Sequence, residues 1–149
     1  SCNFSYPTEC AGGRITHINM KGQALPRSGG IPLALLDLTG LQYLDLYGNH
    51  LQGTIPDALG QQLQQLTYLD LGSNAFSGTL PVSLTSLKQL TIINLDTNPH
   101  LTGVLPAFNF SQFTVSCTMF GDNFTCPLPP GADTCDHWHG TKYPPPTCK

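Results

Sequence analysis

The chain repeats one phrase, and that repetition limits its possible folds more than any other feature. Leu44-Asp45-Leu46-Tyr47-Gly48-Asn49, followed by Leu51, Gly53, Ile55 and Pro56, returns as Leu69-Asp70-Leu71-Gly72-Ser73-Asn74 with Phe76, Gly78, Leu80 and Pro81. It returns again, one residue longer, as Ile93-Asn94-Leu95-Asp96-Thr97-Asn98 with Leu101, Gly103, Leu105 and Pro106. A worn copy starts at Ile18-Asn19-Met20 and ends near Ile31-Pro32. From Ile18 to Leu44, Leu69 and Ile93 the steps are 26, 25 and 24 residues. A unit of that length cannot bury an apolar face alone, so consecutive units must stack and share one long core. The expected architecture is therefore a solenoid.

Within a unit the pattern can be read position by position. Leu41, Leu44 and Leu46 alternate as a short strand does, with the residues between them expected to face out. Leu66, Leu69 and Leu71 match them, as do Leu90, Ile93 and Leu95. Asn49, Asn74 and Asn98 close each strand, where a buried amide can hydrogen-bond the backbone of adjoining coils. Gln23 and Asp122 take those places in the terminal copies, and Leu51, Phe76, Leu101 and Phe124 fill the interior behind the turn. The Gly-x-Ile/Leu-Pro segments add a second extended stretch. Val82 to Leu87 suits a helical or 3₁₀ turn that sends Leu84 and Leu87 inward. The units are expected over 15–40, 41–65, 66–89 and 90–113 within a repeat region 15–113, between an N-terminal cap, 1–14, and a half-repeat with a Cys- and Pro-rich cap, 114–149.

The ends carry all six cysteines: Cys2 and Cys10 before the array, then Cys117, Cys126, Cys135 and Cys148 after it. An even count confined to the ends reads as disulfide-braced caps in an oxidising compartment. A zinc site would want C-x-x-C pairs, which are absent. Cys2–Cys10 is the simplest pairing. The other four permit three connectivities, of which Cys117–Cys126 with Cys135–Cys148 is preferred. Three N-glycosylation acceptors, Asn3, Asn109 and Asn123, agree with export. No apolar run approaches a membrane span. No leader precedes Ser1, which is expected to lie near a mature or trimmed start. Between Ser28 and Thr141 the single cation Lys88 faces eight acids, a balance that repels phosphate backbones and argues against nucleic acid as a partner.

The pattern Leu-x-x-Leu-x-Leu-x-x-Asn-x-Leu/Phe-x-Gly-x-Ile/Leu-Pro resembles the plant-specific class of leucine-rich repeats. Receptor-kinase ectodomains, polygalacturonase-inhibiting proteins and repeat extensins of plants use it, as do surface proteins of algae and protists. The resemblance covers roughly residues 10 to 135. It implies an α/β leucine-rich repeat solenoid, a short right-handed stack of coils. A parallel sheet would line its concave face and 3₁₀ or short helices its convex face, with disulfide-capped ends.

Outward-facing strand positions should form columns about 5 Å from coil to coil on the concave sheet. One column holds His17, Tyr43, Tyr68, Ile92 and Ser116; the next holds Asn19, Asp45, Asp70, Asn94 and Thr118; a third holds Lys21, Tyr47, Gly72, Asp96 and Phe120. Tyr43, Tyr47 and Tyr68 beside Asp45, Asp70, Asp96 and Lys21 form the candidate contact surface, since aromatic rings with polar tips anchor proteins and sugars alike. Asp45 and Asp70 also sit at the separation of a retaining glycosidase pair. Repetition of Leu-Asp-Leu explains them more simply, and equivalent coils should not drive two pKa values apart. His137-Trp138-His139 could share a metal, but flanking cysteines favour a disulfide-closed cap, with Trp138 over the apolar end. Tyr143-Pro144-Pro145-Pro146 is a stiff spacer, or a substrate for proline hydroxylation.

These features point to a secreted or cell-surface recognition module. It would be non-catalytic, without cofactor or metal, and would grip an extracellular protein, peptide or polysaccharide. The alternative is a self-assembling glycoprotein of a matrix, cell wall or fibre.

Overall fold

The computed structural model describes residues 8–25, 29–114, 116–119, 122–125, 127–132, 137–138 and 141–142. Successive side chains of a strand leave on opposite faces, so the copied leucines can all point inward only if their strands run parallel and in step. They do. β2 (Arg14–Asn19), β3 (Tyr43–Asp45), β5 (Tyr68–Asp70), β7 (Ile92–Asn94) and β9 (Ser116–Thr118) form a parallel sheet. Its register sets Ile18, Leu44, Leu69, Ile93 and Cys117 in one row. At one end β1 (Thr8–Ala11) folds back antiparallel on β2 through Gly12 and Gly13, both at positive φ. At the other, β11 (His137–Trp138) lies antiparallel to β9 and to β12 (Thr141–Lys142).

The second extended stretches form a second parallel sheet of β4 (Gln52–Gly53), β6 (Ala75–Gly78), β8 (His100–Val104) and β10 (Asn123–Thr125). Between the sheets lies one continuous apolar cluster. Leu41, Leu44, Leu66, Leu69, Leu71, Leu90, Ile93 and Leu95 are fully buried, and Leu51, Phe76, Leu101 and Phe124 pack behind the turn.

On the convex side Pro32, Pro56 and Pro81 fix φ near the value that a helical turn needs. Short 3₁₀ turns follow at Leu33–Asp37 and Val82–Ser86, and another occurs at Phe110–Gln112. The second coil instead carries an α-helix, α1 (Asp57–Gln62). Leu36, Leu59, Leu84 and Leu87 turn inward from this side. α1 packs so closely on the next coil that a Cβ on Gly60 would lie 2.3 Å from the Ser83 carbonyl carbon. Ser86 Oγ donates to the Gly60 carbonyl at 2.8 Å, and Ser83 Oγ donates to that of Asp57 at 2.8 Å.

A ladder of buried amides ties coil to coil. Asn74 Oδ1 accepts the amides of Asn49 and Leu51, while its Nδ2 donates to the carbonyls of Leu46, Leu71 and Gly72. Asn98 repeats this toward Phe76 and Leu71, and Asp122 Oδ1 ends the run by accepting Asn98 N at 2.9 Å. Buried backbone groups that the turns leave unpaired are thereby satisfied.

Candidate functional site

The in-step register brings His17, Tyr43, Tyr68 and Ile92 into one row across the concave wall. Strands about 4.8 Å apart put planar side chains in stacking range. Tyr43 and Tyr68 stack with centroids 4.1 Å apart and planes 14° apart, and His17 continues the stack at 5.6 Å and 17°. Neighbouring rings therefore cover each other's faces, and the ridge offers edges and polar tips outward. His17 belongs to the expected column but not to the expected contact surface. Its position opposite Tyr43 in the repeat was the signal that could have found it.

Burial pushes the phenols of both tyrosines up, and the nearby carboxylates of Asp45 and Asp70 add to it. These hydroxyls stay protonated. Tyr68 donates to Asp70 Oδ2 at 3.3 Å. His17 Nδ1 lies 3.0 Å from Thr16 Oγ1 and 3.8 Å from the Glu9 carboxylate. In the third column the Lys21 ammonium sits 4.7 Å from the Tyr47 ring centroid, an exposed cation–π contact.

The second column departs from expectation. Asp45, Asp70, Asn94 and Thr118 were expected to face solvent, yet Asp45 is 3% exposed and Asp70 1%. The reason is a turn that starts where each strand stops. The side-chain oxygen folds back to accept the amide two residues on: Asn19 from Lys21, Asp45 from Tyr47, Asp70 from Gly72 and Asn94 from Asp96. A hydrogen-bonded chain then runs across the wall. Thr118 Oγ1 donates to Asn94 Oδ1 at 2.7 Å, and Asn94 Nδ2 donates to Asp70 Oδ2 at 3.2 Å. Asp70 is pushed up to about 6, first by burial and then by Asp45 and Asp96, against the pull of the Gly72 amide and Asn94. With Oδ1 of both Asp45 and Asp70 bound to backbone, the pair serves the wall's own turns. Asp96 is half-buried, its Oδ1 2.6 Å from where a Gly72 Cβ would stand, so a side chain at Gly72 would displace it.

The structure thus pairs Tyr43 with Tyr68 in one column and Lys21 with Tyr47 in another, while Asp45 and Asp70 are buried and Asp96 lies against Gly72. Thr67 and Thr91 spend their hydroxyls on carbonyls one coil back, Gln42 and Thr67. Among the described residues no group of three His, Cys, Asp or Glu side chains is placed to hold a metal. Cys117 is disulfide-bonded. Cys2, Cys126, Cys135, Cys148, Asn3, Phe120, His139 and the Tyr143–Pro146 stretch lie outside the described residues, as do the side chains of His137 and Trp138, so the Cys2–Cys10 pairing is not described either.

Residues 39–99 match the leucine rich repeat family model. A chain of the BIR3–SERK2 complex from Arabidopsis thaliana is similar at 28% identity and a TM-score of 0.70 over 81% of this chain. The BIR2 ectodomain from the same plant is similar at 27% and 0.68 over 80%. This is a plant-type leucine-rich repeat protein. A third leucine-rich repeat structure, from the Arabidopsis receptor kinase HAESA in complex with the peptide hormone IDA and the co-receptor SERK1, is similar at 31% and 0.60 over 68%. The chain spans 63% and 62% of the first two structures and 17% of the third. No curated protein sequence matches the repeat protein. No helix among its described residues is long and apolar enough to cross a membrane.

Proposed function

We propose that this repeat protein is a non-catalytic recognition module of the extracellular space that binds a protein, peptide or polysaccharide on its concave wall. The observation that carries the reading is the Tyr43–Tyr68 stack, rigid, half-exposed and set in the middle of five parallel strands. Rigid aromatic groups give contact area at little entropic cost, which is why they dominate binding hot spots. Asp45 and Asp70 act through the tyrosines they hold, and Lys21, Tyr47, His17 and Asp96 frame the ridge. Stacked rings disfavour a sugar lying flat on a tyrosine face and favour a partner that meets edges and hydroxyls, as a peptide backbone does. HAESA and the BIR3–SERK2 pair, solved with peptide or protein partners, support the extracellular reading and this partner class.

The test is an affinity capture from extracellular fluid with the wild-type protein and with a Tyr43→Ala plus Tyr68→Ala double variant. Loss of the captured partner at a temperature where circular dichroism shows the double variant still fully folded supports the reading. Retained capture overturns it.

A second reading, a self-assembling glycoprotein of wall, matrix or fibre, draws on Leu33 and Val82. Both are 71% exposed at equivalent convex positions one residue after a proline. Light scattering separates the two: open-ended growth supports assembly, and a discrete particle supports recognition.

A further inference from the structure

We propose that, in the exported protein, Asn109 carries an N-linked glycan and Asn123, with the same sequence motif, does not; the inference rests on the extracellular reading above. The sequons Asn109-Phe110-Ser111 and Asn123-Phe124-Thr125 look equivalent in the sequence. The fold treats them differently.

Asn109 stands immediately before the convex 3₁₀ turn Phe110–Gln112 and is exposed. Phe108 and Phe110 on either side of it are buried, 5% and 6% exposed, and their rings meet edge to face at 5.8 Å with Phe113 close to both. These anchors drive the intervening side chain outward. Ser111 Oγ donates to Asn109 Oδ1 at 2.7 Å, so the motif's hydroxyl engages the amide oxygen. Asn109 Nδ2, the atom that receives the sugar, has no hydrogen-bond partner among the described residues. A glycan here projects from the convex side and leaves the concave wall open.

Asn123 is the first residue of β10, paired in parallel with β8 at Thr102. Its Nδ2 donates to the Pro99 carbonyl at 2.5 Å and so holds the last coil to the one before it. A sugar on that nitrogen would take one of its two hydrogens and press a bulky ring against the β8–β10 pair. Chains modified there close the final coil poorly, so folded, exported material should be depleted of them.

The transfer balances simply. The Asn109 Nδ2–C1 bond to the oligosaccharide forms while the C1–oxygen bond to a lipid-linked diphosphate donor breaks. The Nδ2 proton leaves to the transferase base, and the lipid diphosphate departs.

The experiment secretes the full chain from a eukaryotic host and maps the glycopeptides by mass spectrometry after enzymatic release in heavy-oxygen water. The expected result is a tagged Asn109 and an untagged Asn123. Asn109→Gln should remove one glycan's mobility shift without changing the melting temperature, and Asn123→Gln should leave the glycan pattern intact while lowering that temperature. Occupied Asn123, or empty Asn109, overturns the proposal. Neither outcome touches the concave reading, which the capture experiment tests separately.

Discussion

Asn74 donates through Nδ2 to the carbonyl of Leu46, 2.9 Å away and one whole coil earlier in the chain. The same amide serves four further backbone groups, so its loss strands polar atoms inside the core. Asn74→Ala should cost about 3 kcal/mol or more, since each buried group left unpaired costs about 1–3 kcal/mol. Urea unfolding measures it. Lys88→Ala, at an exposed lysine on the convex side, is the control and should change little.

The approach of α1 to the next coil gives a steric prediction. Gly60→Ala must push aside the Ser83 backbone and should destabilise by about 1–3 kcal/mol. Gly40→Ala, whose added carbon would meet only ordinary contacts from 3.6 Å outward, should be tolerated. Equal melting temperatures for the two variants would contradict the packing described.

Asp70 predicts a pH dependence with a definite sign. Its carboxyl is raised from 3.8 to about 6, so folding favours the protonated form. Its contribution to stability is complete below about pH 4 and is lost as pH rises through 6, a change of roughly 3 kcal/mol for two units. Other carboxylates slope their own way, so the readout is a difference between wild type and Asp70→Asn. That difference should change between pH 4 and 6 and stay flat above 7. The variant should also be less stable overall, because an amide nitrogen in place of Oδ2 would face the Asn94 amide nitrogen.

The Tyr43–Tyr68 contact can be isolated by a double-mutant cycle to Ala, read by unfolding free energy. A coupling of about 0.5–1.5 kcal/mol is expected for a stacked aromatic pair. Tyr68→Phe keeps the ring and removes only the donor to Asp70, so it should preserve the coupling and shift the acid-side titration of Asp70.

Reduction supplies a spatial prediction. Cys117 is disulfide-bonded and lies in the interior row at β9. Mild reducing agent should raise hydrogen exchange in β9 and β10 before β3, β5 and β7. Simultaneous loss across all strands would mean that the array depends on the bond as a whole.

The repeat made the main architecture legible. Leu44, Leu69 and Ile93 stack because their spacing says so, and Asn49, Asn74 and Asn98 bond across coils as their place at each strand end requires. The acids were misread because strict alternation assigns every second residue to solvent. At Asp45 and Asp70 the strand ends at that residue, and a short carboxylate is better satisfied by the amide two positions on than by water. The hairpin of β1 and β2 was hidden for a different reason: its turn signal, Gly12-Gly13, lies outside the repeated phrase. The α-helix of the second coil follows from the longer loop after Pro56, which leaves room for a wider turn than the 3₁₀ segments on either side.

The antiparallel strands at both ends of the concave sheet fix a length scale. Five parallel strands about 4.8 Å apart span about 19 Å, while an extended chain advances about 3.3 Å per residue. A peptide laid across the coils could be gauged over about six residues at once. Under the proposed function, that is the length of peptide that the parallel part of the wall would meet, with the antiparallel strands continuing the sheet on either side.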